Sequence, residues 1–110
     1  MTSIEELLAG NAPLRREDLA AWIEEELVVA GGTAEAPRFS EEASVRVRLL
    51  CTLRYELDID AEALPVVVSL LDQLHDTQRR LRALAGAVAA QDQAVREAII
   101  ATLRGPGAAE

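Results

Sequence analysis

The chain has 110 residues, enough for one domain with an extended appendage but too few for two independent hydrophobic cores. Half of the residues are apolar and only three are aromatic, which is typical of a helical bundle built from Leu, Val and Ala. The formal net charge is −8 and every basic residue is an arginine, so the chain lacks the positive excess of most nucleic-acid-binding domains.

The residue inventory excludes several kinds of site. Cys51 is the lone cysteine, so neither a disulfide framework nor a multi-cysteine metal site is expected, and we interpret Cys51 as an inert thiol instead of a sensor. His75 is the only histidine, and the sequence has no phosphate-binding glycine loop and no nucleophile paired with a base. We therefore expect a non-catalytic protein with no metal, no cofactor and no small-molecule substrate.

The sequence gives no signal for targeting or membrane insertion. No apolar run approaches the ~20 residues of a membrane span. The N-terminus lacks the basic and apolar regions of a signal peptide. These features predict a cytoplasmic protein that does not enter a membrane.

Two short helices are predicted near the N-terminus. Ser3 and Glu6 have the spacing of a capping box, and Gly10, Asn11 and Pro13 end the first helix. The second helix is predicted from about residue 15 to 27 because apolar residues recur there on one face. That apolar stripe consists of Leu19, Trp22, Ile23 and Leu27. We expect Trp22 to lie in the core and not on an interaction surface.

A small two-stranded wing and a third helix are predicted next. The sequence predicts two short extended segments, residues 28–30 and 37–39, joined by a loop that begins with a glycine pair. Ser40 is a good N-cap for a third helix that runs to about residue 57. Its apolar stripe is Ala43, Val47, Leu50, Leu53 and Leu57.

A long fourth helix follows, and its start has two readings. Asp60 could cap it, or the regular helix could begin near Leu64 with Pro65 in its first turn. Gly86 could mark a bend or the start of a second helical segment. Residues Gly105 to Gly107 should end any helix, which leaves 105–110 as a disordered tail.

The long helix carries a coiled-coil-like seam that needs a covering partner. The predicted interface residues are Val67, Leu70, Leu71, Leu74, Gln78, Leu81, Leu84 and Val88. We favour a homodimer, in which a second copy covers the seam, over a bundle within one chain. Periodicity does not fix whether that dimer is parallel.

The acidity is concentrated at the N-terminal end. Residues 1–42 hold ten acidic residues and three arginines, a formal charge of −7. The second helix and its end supply five of these acids, the predicted partner-binding residues: Glu17, Asp18, Glu24, Glu25 and Glu26. Such a surface would steer a positively charged protein toward it, although an ordinary solvated helix face is the alternative reading.

Two stretches resemble known families. Residues 37–42, followed by Arg46, Leu49, Leu50 and Leu53, resemble the wing-to-third-helix junction of MerR-like helix-turn-helix regulators. Residues 53–60 and 66–74 are similar to the CbpM chaperone modulators. The resemblance covers roughly residues 14–84. It implies a mainly α fold with a winged helix-turn-helix head over 1–60 and a long helical dimerisation region over 61–104.

The resemblance implies one of two functions. CbpM-like proteins bind the J-domain of a DnaJ-like co-chaperone and hold it back from its Hsp70 partner, and J-domains present a basic helix that suits an acidic surface. MerR-like regulators instead bind promoter DNA through the second helix and wing, a reading that would assign DNA contacts to Arg15, Arg16, Arg38 and Arg46. Arg15 stands where related heads usually have Ser, so the second helix needs another capping group, for which Asn11 is a candidate.

Overall fold

The fold is seen in a computed structural model that describes the backbone of residues 1–108 and the side chains of residues 1–105. The chain divides into two compact units, Met1–Leu70 and Leu71–Glu110. The elements in chain order are β1 (Thr2–Ser3), α1 (Ile4–Gly10), α2 (Arg16–Glu24), β2 (Gly31–Gly32), β3 (Pro37–Phe39), α3 (Glu41–Cys51), a π-helical turn (Thr52–Glu56), α4 (Leu64–Ala89) and α5 (Gln93–Ala108). The prediction of a mainly α fold is confirmed.

Helix α1 is delimited at both ends by side chains. The Ser3 hydroxyl accepts a hydrogen bond from the Glu6 amide at 3.2 Å, and the Glu6 carboxylate accepts one from the Ser3 amide at 3.3 Å. At the other end, the Asn11 side-chain amide donates to the Leu7 carbonyl at 2.9 Å. The predicted capping box and the early stop of this helix are both confirmed.

Helix α2 ends at Glu24, three residues before its predicted end at residue 27. The chain turns there because Glu26 adopts a left-handed conformation with φ 62°. The Glu26 amide donates to the Ile23 carbonyl at 3.1 Å and the Leu27 amide to the Trp22 carbonyl at 2.8 Å, the hydrogen-bond pattern of a Schellman motif. Glycine usually occupies this left-handed position, so the sequence carried no signal for the stop.

The wing is a three-stranded antiparallel sheet in the order β1-β3-β2, and the prediction of two strands is wrong. Thr2 pairs with Phe39 on one side of β3, and Gly31 pairs with Arg38 on the other. The strand that precedes the wing loop is Gly31–Gly32 and not residues 28–30, since Val28 enters the core instead. Strands of two or three residues are too short to show the alternation by which strands are recognised.

The core of the first unit lies between α2, β3 and α3. Its fully buried side chains include Leu19, Phe39, Val47, Leu50 and Leu64. Trp22 is also buried, with 4 % of its surface exposed, so its predicted core position is confirmed. Burial of side chains of this size stabilises the fold by about 1.5–3 kcal/mol each.

The predicted stripe of the third helix is correct up to Leu53 and wrong at Leu57, which is 60 % exposed. The reason lies in the π-helical turn that follows α3. The Leu57 amide donates to the Thr52 carbonyl at 3.0 Å, a bond that spans five residues where an α-helix spans four. The wider turn rotates Leu57 off the buried face.

Helix α4 begins at Leu64 with Pro65 in its first turn, the second of the two predicted starts. Asp60 caps the preceding turn, because its carboxylate accepts a hydrogen bond from the Ala63 amide at 2.7 Å. Leu64 and Val68 are buried in the first unit.

In the second unit, the helix runs through Gly86 and breaks later, between Ala89 and Gln93. The helix therefore does not bend at Gly86, where the sequence left a bend or the start of a second helical segment open. The Asp92 carboxylate accepts from the Val95 amide at 3.0 Å and starts α5, while the Arg96 guanidinium donates to the Gln91 carbonyl at 3.0 Å. Asp92 and Arg96 thus fix the break.

The C-terminal prediction concerned residues 105–110. Gly105, which lies within α5, has a non-helical conformation with φ 54° and ψ 177°. The sequence predicted that regular helix ends at this residue. Residues 109 and 110 of the predicted disordered tail lie outside the described residues.

Candidate partner-binding surface

Helix α2 displays four of the five predicted partner-binding acids to solvent. Glu17 lies in its first turn, Glu24 is its last residue, and Glu25 and Glu26 follow directly at its cap. All four glutamates are exposed. The last turn of α2 contains no basic residue, so three carboxylates surround the negative end of the helix dipole.

Asp18, the fifth predicted acid, is tied into the fold. Its side chain is 25 % exposed and forms an ion pair with the Arg15 guanidinium at 3.5 Å. It also accepts a hydrogen bond from the Tyr55 hydroxyl. Asp18 therefore links α2 to the π-helical turn, a structural role that distinguishes it from the four exposed glutamates.

Tyr55 contacts the first turn of α2, a link that the sequence did not predict. Its hydroxyl accepts a hydrogen bond from the Arg15 amide at 3.4 Å, at the start of α2 where no side chain of Arg15 serves as a cap. Its ring lies 6.4 Å from that of Trp22, tilted by 46°. Burial raises the pKa of Tyr55, and the hydrogen bond to Asp18 raises it further. The expectation that Asn11 takes the capping role is wrong, because the Asn11 amide is used at the end of α1.

Cys51, the last residue of α3, is half-buried, and its inertness remains a prediction. Burial raises the pKa of its thiol to about 11, and the negative charges of Asp18 and Glu56 contribute in the same direction. A thiol with this pKa stays protonated at neutral pH and is a poor nucleophile and metal ligand. Among the residues that the structure describes, no three His, Cys, Asp or Glu side chains come together in a way that could hold a metal ion.

The four arginines of the DNA-binding alternative differ in their surroundings. Arg15 is paired with Asp18, and the Arg38 guanidinium donates to the Met1 carbonyl at 2.8 Å. Arg16 is exposed on α2 beside Glu17, and Arg46 is half-buried on α3. Arg15 and Arg38 are thus engaged with groups of the chain itself, through an ion pair and a hydrogen bond.

The predicted dimer seam on α4 is largely uncovered in the single chain. Leu70 and Leu74 are 59 % and 51 % exposed, and Leu81 and Leu84 are each 63 % exposed. Gln78 is exposed as well, and the remaining seam positions are half-buried: Val67, Leu71 and Val88. These apolar side chains are available for contact with another molecule, and the homodimer remains a prediction.

These elements define the class of the protein: a small head with a helix-turn-helix pair, α1 and α2, and a short wing, followed by a long helix. A family profile described as MerR HTH family regulatory protein matches residues 4–85. The chain therefore belongs to the MerR helix-turn-helix family, as its sequence predicted. Searches of curated proteins and of solved structures gave no match. Within residues 1–108, none of the helices combines the length and apolar character that a membrane crossing needs.

Proposed function

We propose that this protein is a non-catalytic modulator that binds the J-domain of a DnaJ-like co-chaperone and inhibits it by holding it back from its Hsp70 partner. The proposal rests on the resemblance of residues 53–74 to the CbpM modulators and on the acidic surface of α2. A basic helix of a J-domain has the charge that this surface attracts.

The observation that carries the proposal is the position of Glu24, Glu25 and Glu26 at the carboxyl end of α2. Carboxylates at that end of a helix are unfavourable by about 0.3–1 kcal/mol each, because the dipole is negative there. Local rules of stability are broken most often at functional sites. Three acids in the wrong place for stability therefore support a role in binding a cationic partner.

Transcriptional regulation is the second candidate, because the matching family is described as regulatory, a description that does not decide between the two functions. Binding to a duplex is driven mainly by Lys and Arg that neutralise phosphates. Residues 1–42 instead carry a formal charge of −7, and α2, the helix that enters DNA in such regulators, exposes Glu17 and Glu24. We expect no mobility shift of promoter fragments at ~150 mM salt.

The long helix supports a dimeric modulator. Its exposed leucines at 70, 74, 81 and 84 lie at the predicted seam positions, and a second copy of α4 would cover them. Analytical ultracentrifugation should show a dimer that Leu74→Glu with Leu81→Glu converts to a monomer.

The test of function is a calorimetric titration of the full chain with a purified J-domain at ~150 mM salt. We expect saturable binding, weakened at least about tenfold by Glu24→Lys with Glu25→Lys. The matched control is Glu62→Lys with Glu97→Lys, which makes the same change of net charge at exposed positions outside α2. Absence of binding by the unmodified chain would refute the proposal, and equal weakening by both pairs would refute the assignment to α2.

Both charge-reversed chains must be folded for this comparison. We expect the change at Glu24 and Glu25 to raise the free energy of unfolding by about 1 kcal/mol or more, since it removes two unfavourable carboxylates and places two cations at the carboxyl end of a helix. Weaker binding by a more stable protein would separate function from folding.

A further inference from the structure

A groove with a volume of about 390 Å³ lies between α2 and the wing. Its apolar lining is formed by Ile4, Leu19, Ala20, Ile23, Ala30 and Pro37. Its charged residues are Arg16 and Glu24, at opposite ends of α2. At the rise of an α-helix these two residues are about 12 Å apart, so the groove follows α2 for roughly two turns.

Small residues keep this groove open. Ala20 is exposed on the α2 wall, and Gly31, Gly32 and Ala34 form the wing wall. Gly32 cannot carry a side chain, because a Cβ there would lie 2.6 Å from the Ala36 carbonyl oxygen and φ is +76°. Apart from Thr33 and Pro37, the wing wall of the groove is therefore made of glycine and alanine.

We infer that this groove is the anchoring site for apolar side chains of a cationic helical segment, and the inference deepens the proposed function by locating where affinity is generated. An interface needs a central apolar contact as well as complementary charge. The groove supplies that contact within the 42-residue stretch whose formal charge is −7. Glu24 lies at its end and can pair with a Lys or Arg that flanks the apolar side chain of the partner.

The exposed carboxylates and the apolar groove would act on different rate constants of binding. Exposed carboxylates accelerate the encounter and make it sensitive to salt, while a filled apolar groove slows dissociation. A defect in the groove should therefore raise the dissociation rate and leave the salt dependence of association unchanged.

The test compares a variant whose new side chain fills the groove with a variant at the next residue, whose new side chain does not. Ala20 lines the groove, whereas Ala21 is also exposed on α2 but lies outside the groove. Ala20→Phe should weaken J-domain binding at least about tenfold through faster dissociation, and Ala21→Phe should leave it within about twofold. Ala34→Phe, which fills the groove from the wing, provides a second variant if Ala20→Phe lowers the melting temperature.

A second probe makes the inference independent of the J-domain. It is a synthetic amphipathic helix with four lysines and two leucines one turn apart, compared with the same peptide carrying alanine for both leucines. We expect the leucine peptide to shift the amide resonances of Ala20, Ile23 and Thr33, and the alanine peptide to shift them far less.

The outcomes distinguish a failure of the groove inference from a failure of the proposed function. If the J-domain binds and neither Ala20→Phe nor Ala34→Phe differs from Ala21→Phe, the groove is not the anchor and the proposed function stands. If the J-domain fails to bind but the leucine peptide occupies the groove, the groove inference stands and the proposed function falls. If neither ligand binds, both are overturned.

Discussion

The Tyr55 hydroxyl donates a hydrogen bond to the carboxylate of Asp18, 37 residues away along the chain. The same hydroxyl accepts from the Arg15 amide. One side chain on the π-helical turn therefore fixes the first turn of α2, the helix that presents the acidic surface and one wall of the groove.

Tyr55→Phe tests this link. It keeps the ring beside Trp22 and removes only the hydroxyl, so we expect the free energy of unfolding to fall by about 1 kcal/mol. Urea denaturation measures the change. The control is a double-mutant cycle with Asp18→Ala, in which the Tyr55 substitution should have a clearly smaller effect. A full effect in the absence of Asp18 would contradict the link.

Cys51 should be protected from alkylation below pH 9. Its pKa is raised from 9.0 to about 11, chiefly by burial, so iodoacetamide should react much more slowly at pH 8 with the folded chain than with the chain in urea. Because the folded pKa is raised, the corresponding stability is complete below pH 9 and declines as the pH rises toward 11. Cys51→Ala should show a smaller loss of stability between pH 8 and 10.5. Equal reaction rates in the folded and unfolded chains would contradict this assignment.

The glycine pair of the wing provides a matched test of backbone geometry. Gly32→Ala should lower the free energy of unfolding by about 1–3 kcal/mol, since the residue has a positive φ and the new Cβ would meet a carbonyl oxygen at 2.6 Å. In Gly31→Ala the new Cβ would lie 3.5 Å from its nearest neighbour, an ordinary contact. Thermal unfolding should separate the two, and similar losses of stability would show that φ is not the cause.

Glu26 offers a stabilising substitution. Its φ of 62° is unfavourable for a residue with a side chain, so Glu26→Gly should raise the free energy of unfolding by about 0.5–1 kcal/mol. Glu25→Gly removes the same charge at φ −82° and should give no such gain. Chemical denaturation of both variants distinguishes them. A gain from Glu25→Gly as large as that from Glu26→Gly would assign the effect to charge.

Much of the fold could be predicted from the sequence because it depends on interactions between residues that are close together in the chain. The capping box at Ser3 and the caps at Ser40 and Asp60 involve residues three apart, and the buried faces of α2 and α3 follow helical spacing. What could not be predicted depends on tertiary contact. The pairing of Thr2 with Phe39 joins distant segments, and the π-helical turn that exposes Leu57 leaves no signature in residue type.

The candidate site also has a part that could be predicted from local patterns and a part that depends on tertiary contact. The exposed glutamates of α2 could be located because helical spacing separates them from the apolar stripe. The tie between Asp18 and Tyr55 could not, since nothing in either residue type shows that they meet across 37 positions. The groove could not be found either, because its walls come from α2 and from a wing whose strands are too short to recognise.

The association rate constant with a J-domain, measured by stopped-flow mixing as a function of salt, tests most directly whether the acidic end of α2 attracts a positively charged protein. From ~10 to ~300 mM salt we expect it to fall roughly tenfold or more, as electrostatic steering is screened. Glu24→Lys with Glu25→Lys should associate more slowly at low salt and respond less to it. A rate constant for the unmodified chain that stays level or rises with salt would contradict the account.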